Sequence, residues 1–233
     1  MYLDYQNLVI SLSPRKMNDF EDYLGTYKSI TDRAQNFLYI TRDVDLQKQF
    51  KNEIEDLITE TIEWKEYGVD QSDENLANQQ LAFENILKAL LAELNMWISF
   101  KEGDMHSAWD FLIDSQSHTR TALQAHKIAE PSESYAQRLH NLEKLLFPPQ
   151  IFNSPGFLVK KATCSICGKA YEGCDHIKGR PYMGEICSRI IEDAELLEIS
   201  IVDVPASKKA RMQQMTDGDG LTRDLLTLKK IKK

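Results

Sequence analysis

The sequence has 233 residues, of which 42% are hydrophobic and 27% are charged, and its formal net charge is −8. This apolar content can supply the core of one large domain or of two small ones. No apolar run is long enough to span a membrane, and residues 1–13 carry no positive side chain of the kind that opens a signal peptide. We therefore expect a soluble, cytoplasmic protein without a membrane span.

The charge is distributed unevenly along the chain. Residues 1–150 contain 14 Lys and Arg against 25 Asp and Glu, a formal charge of −11, whereas residues 151–233 contain 14 against 11, a charge of +3. An acidic part is therefore joined to a mildly basic part.

The acidic part is predicted to be helical, because its apolar residues recur every three to four positions. The pair Ser13-Pro14 is typical of a helix start, and a short helix is predicted around residues 32–40. Gly68 and Gly103 are each predicted to end a longer helix. Together these segments predict a bundle of about five or six helices.

The tryptophans and histidines of this bundle are not predicted to form a functional site. Trp64, Trp97 and Trp109 fall within the apolar stripes, so we expect them in the core. No two of the four histidines are four residues apart, as metal ligands on one helix would be. We expect these histidines to be exposed or hydrogen-bonded: His106, His118, His126 and His140.

Two proline-rich turns, Pro148-Pro149 and Pro155-Gly156, mark a boundary after the helices. The segment that follows has too few apolar residues to fold by burial alone, so a metal ion is expected to stabilise it. We predict a mainly α protein in which a helical bundle precedes a small zinc-stabilised α+β module. The predicted parts are an acidic helical bundle (1–147), a linker (148–156), a zinc-binding module (157–212) and a basic amphipathic tail (213–233).

All four cysteines of the chain fall within the predicted module. Cys164 and Cys167 form a Cys-x-x-Cys pair followed by glycine, a spacing that directs two sulfurs at one ion. Cys174, His176 and Cys187 follow closely. In a reducing compartment this clustering indicates zinc binding rather than disulfides.

Five groups therefore compete for the four positions of a tetrahedral site. Cys174 and His176 are alternate residues, so an extended strand would direct both toward one side and leave Cys187 as a buried thiol. In the alternative, Cys187 replaces Cys174 beside His176. A site filled by protein ligands in either way is typical of structural zinc, so we expect a structural role for the ion and no enzymatic activity.

A longer pattern surrounds these ligands. It comprises Cys164-x2-Cys167-Gly168, Cys174-x-His176, Tyr182-x-Gly184-x2-Cys187, Glu198-x-Ser-x-Val202 and Pro205-Ala206. The pattern resembles a zinc-ribbon-like segment of phage prohead-protease and capsid-associated proteins, over roughly a fifth of the chain. The resemblance implies a metal-stabilised module with a strand over residues 194–204. The protease part of that family, with its serine and histidine, is not recognisable in this chain.

The same cysteines, followed by Asp175-His176-Ile177, resemble the opening of HNH nucleases. That family uses one histidine to activate water and a second, later histidine to help hold the catalytic metal ion. This sequence has no histidine after His176. The catalytic half of the resemblance is therefore missing.

These observations favour a non-catalytic accessory or adaptor protein that contacts a protein partner or larger complex in a phage-related or antiviral assembly. The alternatives are an HNH-like endonuclease and a capsid maturation or scaffold component. The C-terminal basic residues make nucleic acid a possible partner, although the net charge of this part is small for a nucleic-acid binder. The basic tail could instead dock in a groove of a protein partner.

Overall fold

The computed structural model describes residues 14–218 and 220–231. Within these ranges the chain begins with five α-helices, and a short 3-10 helix (Lys127–Ser132) joins the last two. A bundle of helices followed by a small strand region confirms the predicted mainly α class. The helices are α1 (Pro14–Ala34), α2 (Val44–Asp70), α3 (Glu74–Glu102), α4 (Met105–Ala125) and α5 (Glu133–Leu146).

Helix α3 is the centre of the bundle. It is buried on almost all sides between Leu76 and Ser99, and it packs against both α2 and α4. A helix with this burial belongs to the interior of a domain rather than to its surface. The large side chains that α1, α2 and α4 bury in the same core are Phe20, Tyr23, Tyr27, Phe50, Ile54 and Trp109.

Two of the predicted helix boundaries are wrong, and tertiary contacts explain both. Helix α2 passes through Gly68, where a Cβ atom would lie 2.8 Å from the backbone nitrogen of Ala77. This glycine therefore allows close approach of α3 rather than ending α2. The helix predicted over residues 32–40 is absent, because α1 continues to Ala34 and turns follow. The amide of Gln47 on α2 donates hydrogen bonds to two carbonyl groups of these turns.

Other predictions for the bundle are confirmed. Gly103 ends α3 in a left-handed conformation with φ of 82°. Trp64, Trp97 and Trp109 are at most 7% exposed, so they are core residues. Each histidine of the bundle has a polar neighbour: Asp224 for His106, Asn85 for His118, Asn75 for His126 and Glu143 for His140.

The described residues of the C-terminal part form three separate two-stranded antiparallel sheets. The longest, which we call the ribbon, pairs β1 (Phe152–Cys164) with β4 (Arg189–Val202). The β1 strand begins inside the segment predicted as a linker. The two smaller sheets pair β2 (Pro181–Tyr182) with β3 (Glu185–Ile186), and β5 (Gln214–Thr216) with β6 (Thr222–Asp224).

Both ends of the C-terminal part contact the bundle. At the base of the ribbon Phe152 is 5% exposed, and its ring centroid lies 6.3 Å from that of Trp109. The predicted amphipathic tail folds back as the β5–β6 hairpin and buries Leu226 in the bundle core. A carboxylate oxygen of Asp224 lies 2.6 Å from Nε2 of His106. Among the helices described, none has both the length and the apolar character needed to cross a bilayer.

Candidate metal centre

Four of the five predicted ligand groups meet where β1 ends. The sulfurs of Cys164, Cys167 and Cys174 and a ring nitrogen of His176 all lie within 4.8 Å of one another. The sulfurs of Cys167 and Cys174 are 3.4 Å apart, and Nδ1 of His176 is 3.2 Å from the sulfur of Cys174. None of these cysteines forms a disulfide.

These separations fit a tetrahedral metal site. Zinc bonds of about 2.3 Å to sulfur and about 2.0 Å to nitrogen place neighbouring ligand atoms roughly 3.5–3.8 Å apart. The measured distances of 3.2 and 3.4 Å are only a few tenths of an ångström shorter. Three thiols and one imidazole are also a donor set that zinc uses in structural sites. The residues present therefore fit a divalent zinc ion.

Cys187 is a fifth group beside the cluster. Its sulfur is not a member of the group of four, but it lies 3.8 Å from the sulfur of Cys164, a distance that suits two ligands of one ion. The side chain is 1% exposed. The geometry brings Cys174 and His176 to the cluster together, and replacement of Cys174 by Cys187 stays a prediction.

The first two candidate ligands, Cys164 and Cys167, are held by a tight turn that follows β1. The N–H of Gly168 donates to the carbonyl oxygen of Cys164 at 2.9 Å, and Gly168 adopts the left-handed φ of 68° that this turn requires. The N–H of Ile166 points to the sulfur of Cys164 at 3.4 Å. The Cys-x-x-Cys-Gly spacing thus produces the knuckle that the sequence predicted.

Two tyrosines hold the loop that carries His176. The ring of Tyr182 meets the imidazole edge to face, with 4.6 Å between centroids, and its hydroxyl oxygen accepts the N–H of Ile177. The hydroxyl oxygen of Tyr171 accepts the N–H of Lys178. Neither tyrosine was assigned to the site from the sequence. Their positions, five residues before and six residues after the candidate ligand His176, were the available signal for a structural role.

The β2–β3 hairpin leads the chain back to Cys187. Its two central residues, Met183 and Gly184, have φ of 45° and 82°, as in the two-residue turns typical of tight hairpins. The N–H of Cys187 donates to the carbonyl of Arg180, and its carbonyl accepts the N–H of Gly179. This pairing places the Cys187 thiol against Cys164.

The thiols of the cluster hold their protons unequally. Burial alone would raise the pKa of Cys164, but the N–H groups of Cys167 and Ile166, with the neighbouring thiols, lower it to about 6. Burial, assisted by Cys167 and Cys164, raises the pKa of Cys174 to about 11. Burial also raises the pKa of Cys187. The low pKa of Cys164 favours a thiolate at this residue, whereas ionisation of the Cys174 and Cys187 thiols requires a nearby cation such as a divalent metal ion.

Several basic side chains near the cluster are already paired with carboxylates of the same module. These ion pairs are at the protein surface, where each contributes little stability but offsets positive charge. Such pairing weakens the case for a basic face that binds phosphates. The pairs are Lys160–Glu195, Lys161–Glu192 and Arg189–Glu172.

No protein-family model, no curated protein and no solved structure matches this chain.

Proposed function

We propose that this protein is a non-catalytic accessory or adaptor protein whose C-terminal module is held together by a structural zinc ion. The observation that carries the proposal is the group of three thiols and one imidazole within 4.8 Å of one another. Thiolate donors select zinc over magnesium or calcium, which prefer oxygen. Four protein ligands leave no open position for a reacting water, whereas catalytic zinc keeps one.

The burial of the module supports a stabilising role for the ion. Between residues 157 and 210 only four residues are buried, and two of them are thiols: Ala162, Cys164, Gly184 and Cys187. This core is too small to offset the conformational entropy of the segment. Structural zinc contributes about 10–16 kcal/mol of apparent folding free energy in small peptides. This exceeds what burial in such a small core can contribute.

The role as an adaptor rests on the surfaces that surround this module. The helical bundle is strongly acidic, and the ribbon presents apolar side chains to solvent. Both surfaces suit contacts with a protein partner or a larger complex. The resemblance of residues 164–206 to the segment of phage prohead-protease and capsid-associated proteins points to a phage-related or antiviral assembly. Capsid maturation or scaffolding would be one form of that role.

Elemental analysis of the purified protein tests the zinc proposal directly. We expect about one zinc ion per chain, and a chelator should lower the melting temperature of the protein. Circular dichroism should show that the helical bundle keeps its secondary structure while the module unfolds. A metal-free preparation whose melting does not change with chelator would overturn the proposal.

A nuclease assay separates the adaptor from the HNH-like enzyme. His176 lies within the thiol cluster, where the proposed zinc ion would bind its ring nitrogen and leave it unable to act as a free base. The protein and its His176→Ala variant are each incubated with DNA and magnesium or manganese. We expect no cleavage beyond background in either sample. Cleavage that requires His176 would contradict the non-catalytic assignment.

A further inference from the structure

The ribbon exposes an unusual amount of apolar surface. Eleven of the 14 residues of β4 are exposed, and its burial does not alternate as in a strand with one face on a core. Leu197, Ile199 and Ile201 are 62%, 64% and 69% exposed. Contiguous apolar surface of this kind marks an interaction site.

The two edges of the ribbon differ in how they are protected. At the base, residues 210 and 212 hydrogen-bond to Asn153 and Ile151, which covers the start of β1. At the other end, the N–H of Cys164 donates to the carbonyl of Lys169. Between these points β1 carries Pro155, which has no N–H group, and two lysines. Proline and lysine are the residues that commonly prevent pairing at a strand edge.

The outer edge of β4 has none of this protection. In the described part of the chain β1 is its sole partner strand. Residues 190–202 contain no proline, lysine or arginine. The last seven residues of β4, 196–202, carry a single charged side chain, and a mainly apolar strand with a free edge is a template for pairing with another strand.

We propose that β4 pairs with β4 of a second copy of this chain, antiparallel and about a two-fold axis at Ser200. The segment Glu198–Val202 is suited to this pairing, because it runs beside β1 without a register shift. Ile199 of each copy then lies opposite Ile201 of the other. The two ribbons become one four-stranded sheet, in which Ile199 and Ile201 of the two copies pack beside each other as cross-strand pairs.

The charge pattern of β4 favours a second copy at this register. Glu198 lies opposite Val202 of the second copy, so no two carboxylates face each other across the axis. The acidic residues Glu192, Asp193 and Glu195 fall outside the overlapping segment. A two-fold arrangement also makes both copies use the same surface, as in most dimers of identical chains. This surface lies along the ribbon and does not depend on which metal ion the thiols hold.

Sedimentation equilibrium of the full-length protein, over a wide range of concentrations, tests the proposal. We expect the wild type to reach the mass of a dimer. The Ile199→Lys variant should weaken dimerisation at least about tenfold, because it places a charge opposite an apolar partner. The matched control is Leu145→Lys, which changes an 80% exposed leucine on α5 and should leave the dimer intact. Unchanged circular dichroism and zinc content show that each variant is folded.

Cross-linking tests the register. A Ser200→Cys variant should form a disulfide-linked dimer under mild oxidation, because the two introduced thiols face each other at the axis. A Glu195→Cys variant, on the same strand but away from the axis, should cross-link far less. A wild-type chain that stays monomeric at every concentration would overturn the proposal. The free edge of β4 would then be assigned to pairing with a strand of a different protein. A dimer that survives Ile199→Lys, or equal cross-linking of the two cysteine variants, would also overturn it.

Discussion

The backbone N–H of Gly184 donates a 2.8 Å hydrogen bond to Oδ1 of Asn78, a buried side chain on α3 that lies 106 positions earlier in the chain. Gly184 belongs to the turn between β2 and β3, three residues before Cys187. The contact therefore joins the candidate metal centre to the central helix of the bundle. Loss of order at the metal centre should break this hydrogen bond and leave the buried side chain of Asn78 without it.

Substitution of Gly184 by alanine should destabilise the protein more than the same substitution at Gly103. Both glycines have φ of 82°, so each variant pays about 1–2 kcal/mol for a left-handed residue with a side chain. At Gly184 the added Cβ would also lie 3.1 Å from Cγ of Lys65, whereas at Gly103 it meets nothing within 4 Å. Urea unfolding of the two variants measures the difference. Equal losses would mean that the turn does not pack against α2.

A second buried network lies within the bundle around Glu93, which is fully buried. Trp97 donates its indole N–H to Oε1 of Glu93 at 3.1 Å, and Tyr135 donates its hydroxyl to Oε2 at 2.9 Å. Arg138 forms an ion pair with the same carboxylate. Burial, together with the charge of Glu93, raises the pKa of Tyr135 well above its usual value, so the tyrosine stays a hydrogen-bond donor.

The Arg138→Met variant should lose roughly 2–3 kcal/mol of stability, because it leaves the buried charge of Glu93 without a counterion. We expect the lower end of the range, since the Arg138 side chain is 40% exposed. The matched control is Arg33→Met, which breaks a surface ion pair with Glu53 and should cost no more than about 1 kcal/mol. Chemical denaturation of both variants gives the two values. Similar losses would show that Glu93 is not effectively desolvated.

His118 gives the stability of the bundle a defined dependence on pH. Its Nδ1 lies 3.0 Å from Oδ1 of Asn85. Burial, with a further contribution from the charge of Lys88, lowers the pKa of His118 below its ordinary value. Below that ordinary value, about 6.5, the unfolded chain takes up a proton that the folded chain resists. His118 therefore lowers the free energy of unfolding as the pH falls below about 6.5, and it has no such effect above that pH.

The His118→Gln variant should lose less stability than the wild type between neutral pH and the acid side of pH 6.5. Acid also protonates the thiol and imidazole ligands of the candidate metal centre, but that effect is shared by both proteins. The informative quantity is therefore the difference in unfolding free energy between the two proteins at each pH. A difference that does not change with pH would contradict the assigned role of His118.

Much of the architecture was predictable because local patterns determine it. The three-to-four-residue spacing of apolar side chains predicts the helices, and Cys164-x-x-Cys167-Gly168 predicts the knuckle. The sequence could not show why Gln80, a polar residue, is fully buried on α3. Its Oε1 accepts a 2.7 Å hydrogen bond from the hydroxyl of Tyr23, a residue 57 positions away. Such partners depend on how helices pack, which local periodicity does not encode.

The C-terminal tail is a second region whose packing could not be predicted from local sequence patterns. Its leucine spacing favours an amphipathic stretch along Leu221, Leu225 and Leu228. The structure instead buries Leu226 and leaves Leu228 62% exposed. Asp224 directs this outcome, because its carboxylate accepts the N–H groups of Leu226 and Thr227 and also lies beside His106. A turn fixed by one carboxylate and a distant histidine has no signature in the spacing of leucines.

Single substitutions of the five candidate ligands should show which four hold the metal ion. If the group of four is the site, Cys174→Ser and His176→Ala should each lower the zinc content of the purified protein and its melting temperature. Cys187→Ser should keep about one zinc ion per chain, because Cys187 stands outside that group. Its loss of stability should be that of a changed core residue, about 1–2 kcal/mol.

The matched control for these variants is Ser165→Ala, a change inside the knuckle that removes no candidate ligand. Its hydroxyl oxygen accepts the N–H of Ser188 at 2.8 Å, so a small loss of stability with full zinc content is expected. Zinc that is lost in Cys187→Ser but kept in Cys174→Ser would assign the fourth position to Cys187. The 3.8 Å separation between the sulfurs of Cys164 and Cys187 would then be one edge of the coordination tetrahedron, and Cys174 would be the spare thiol.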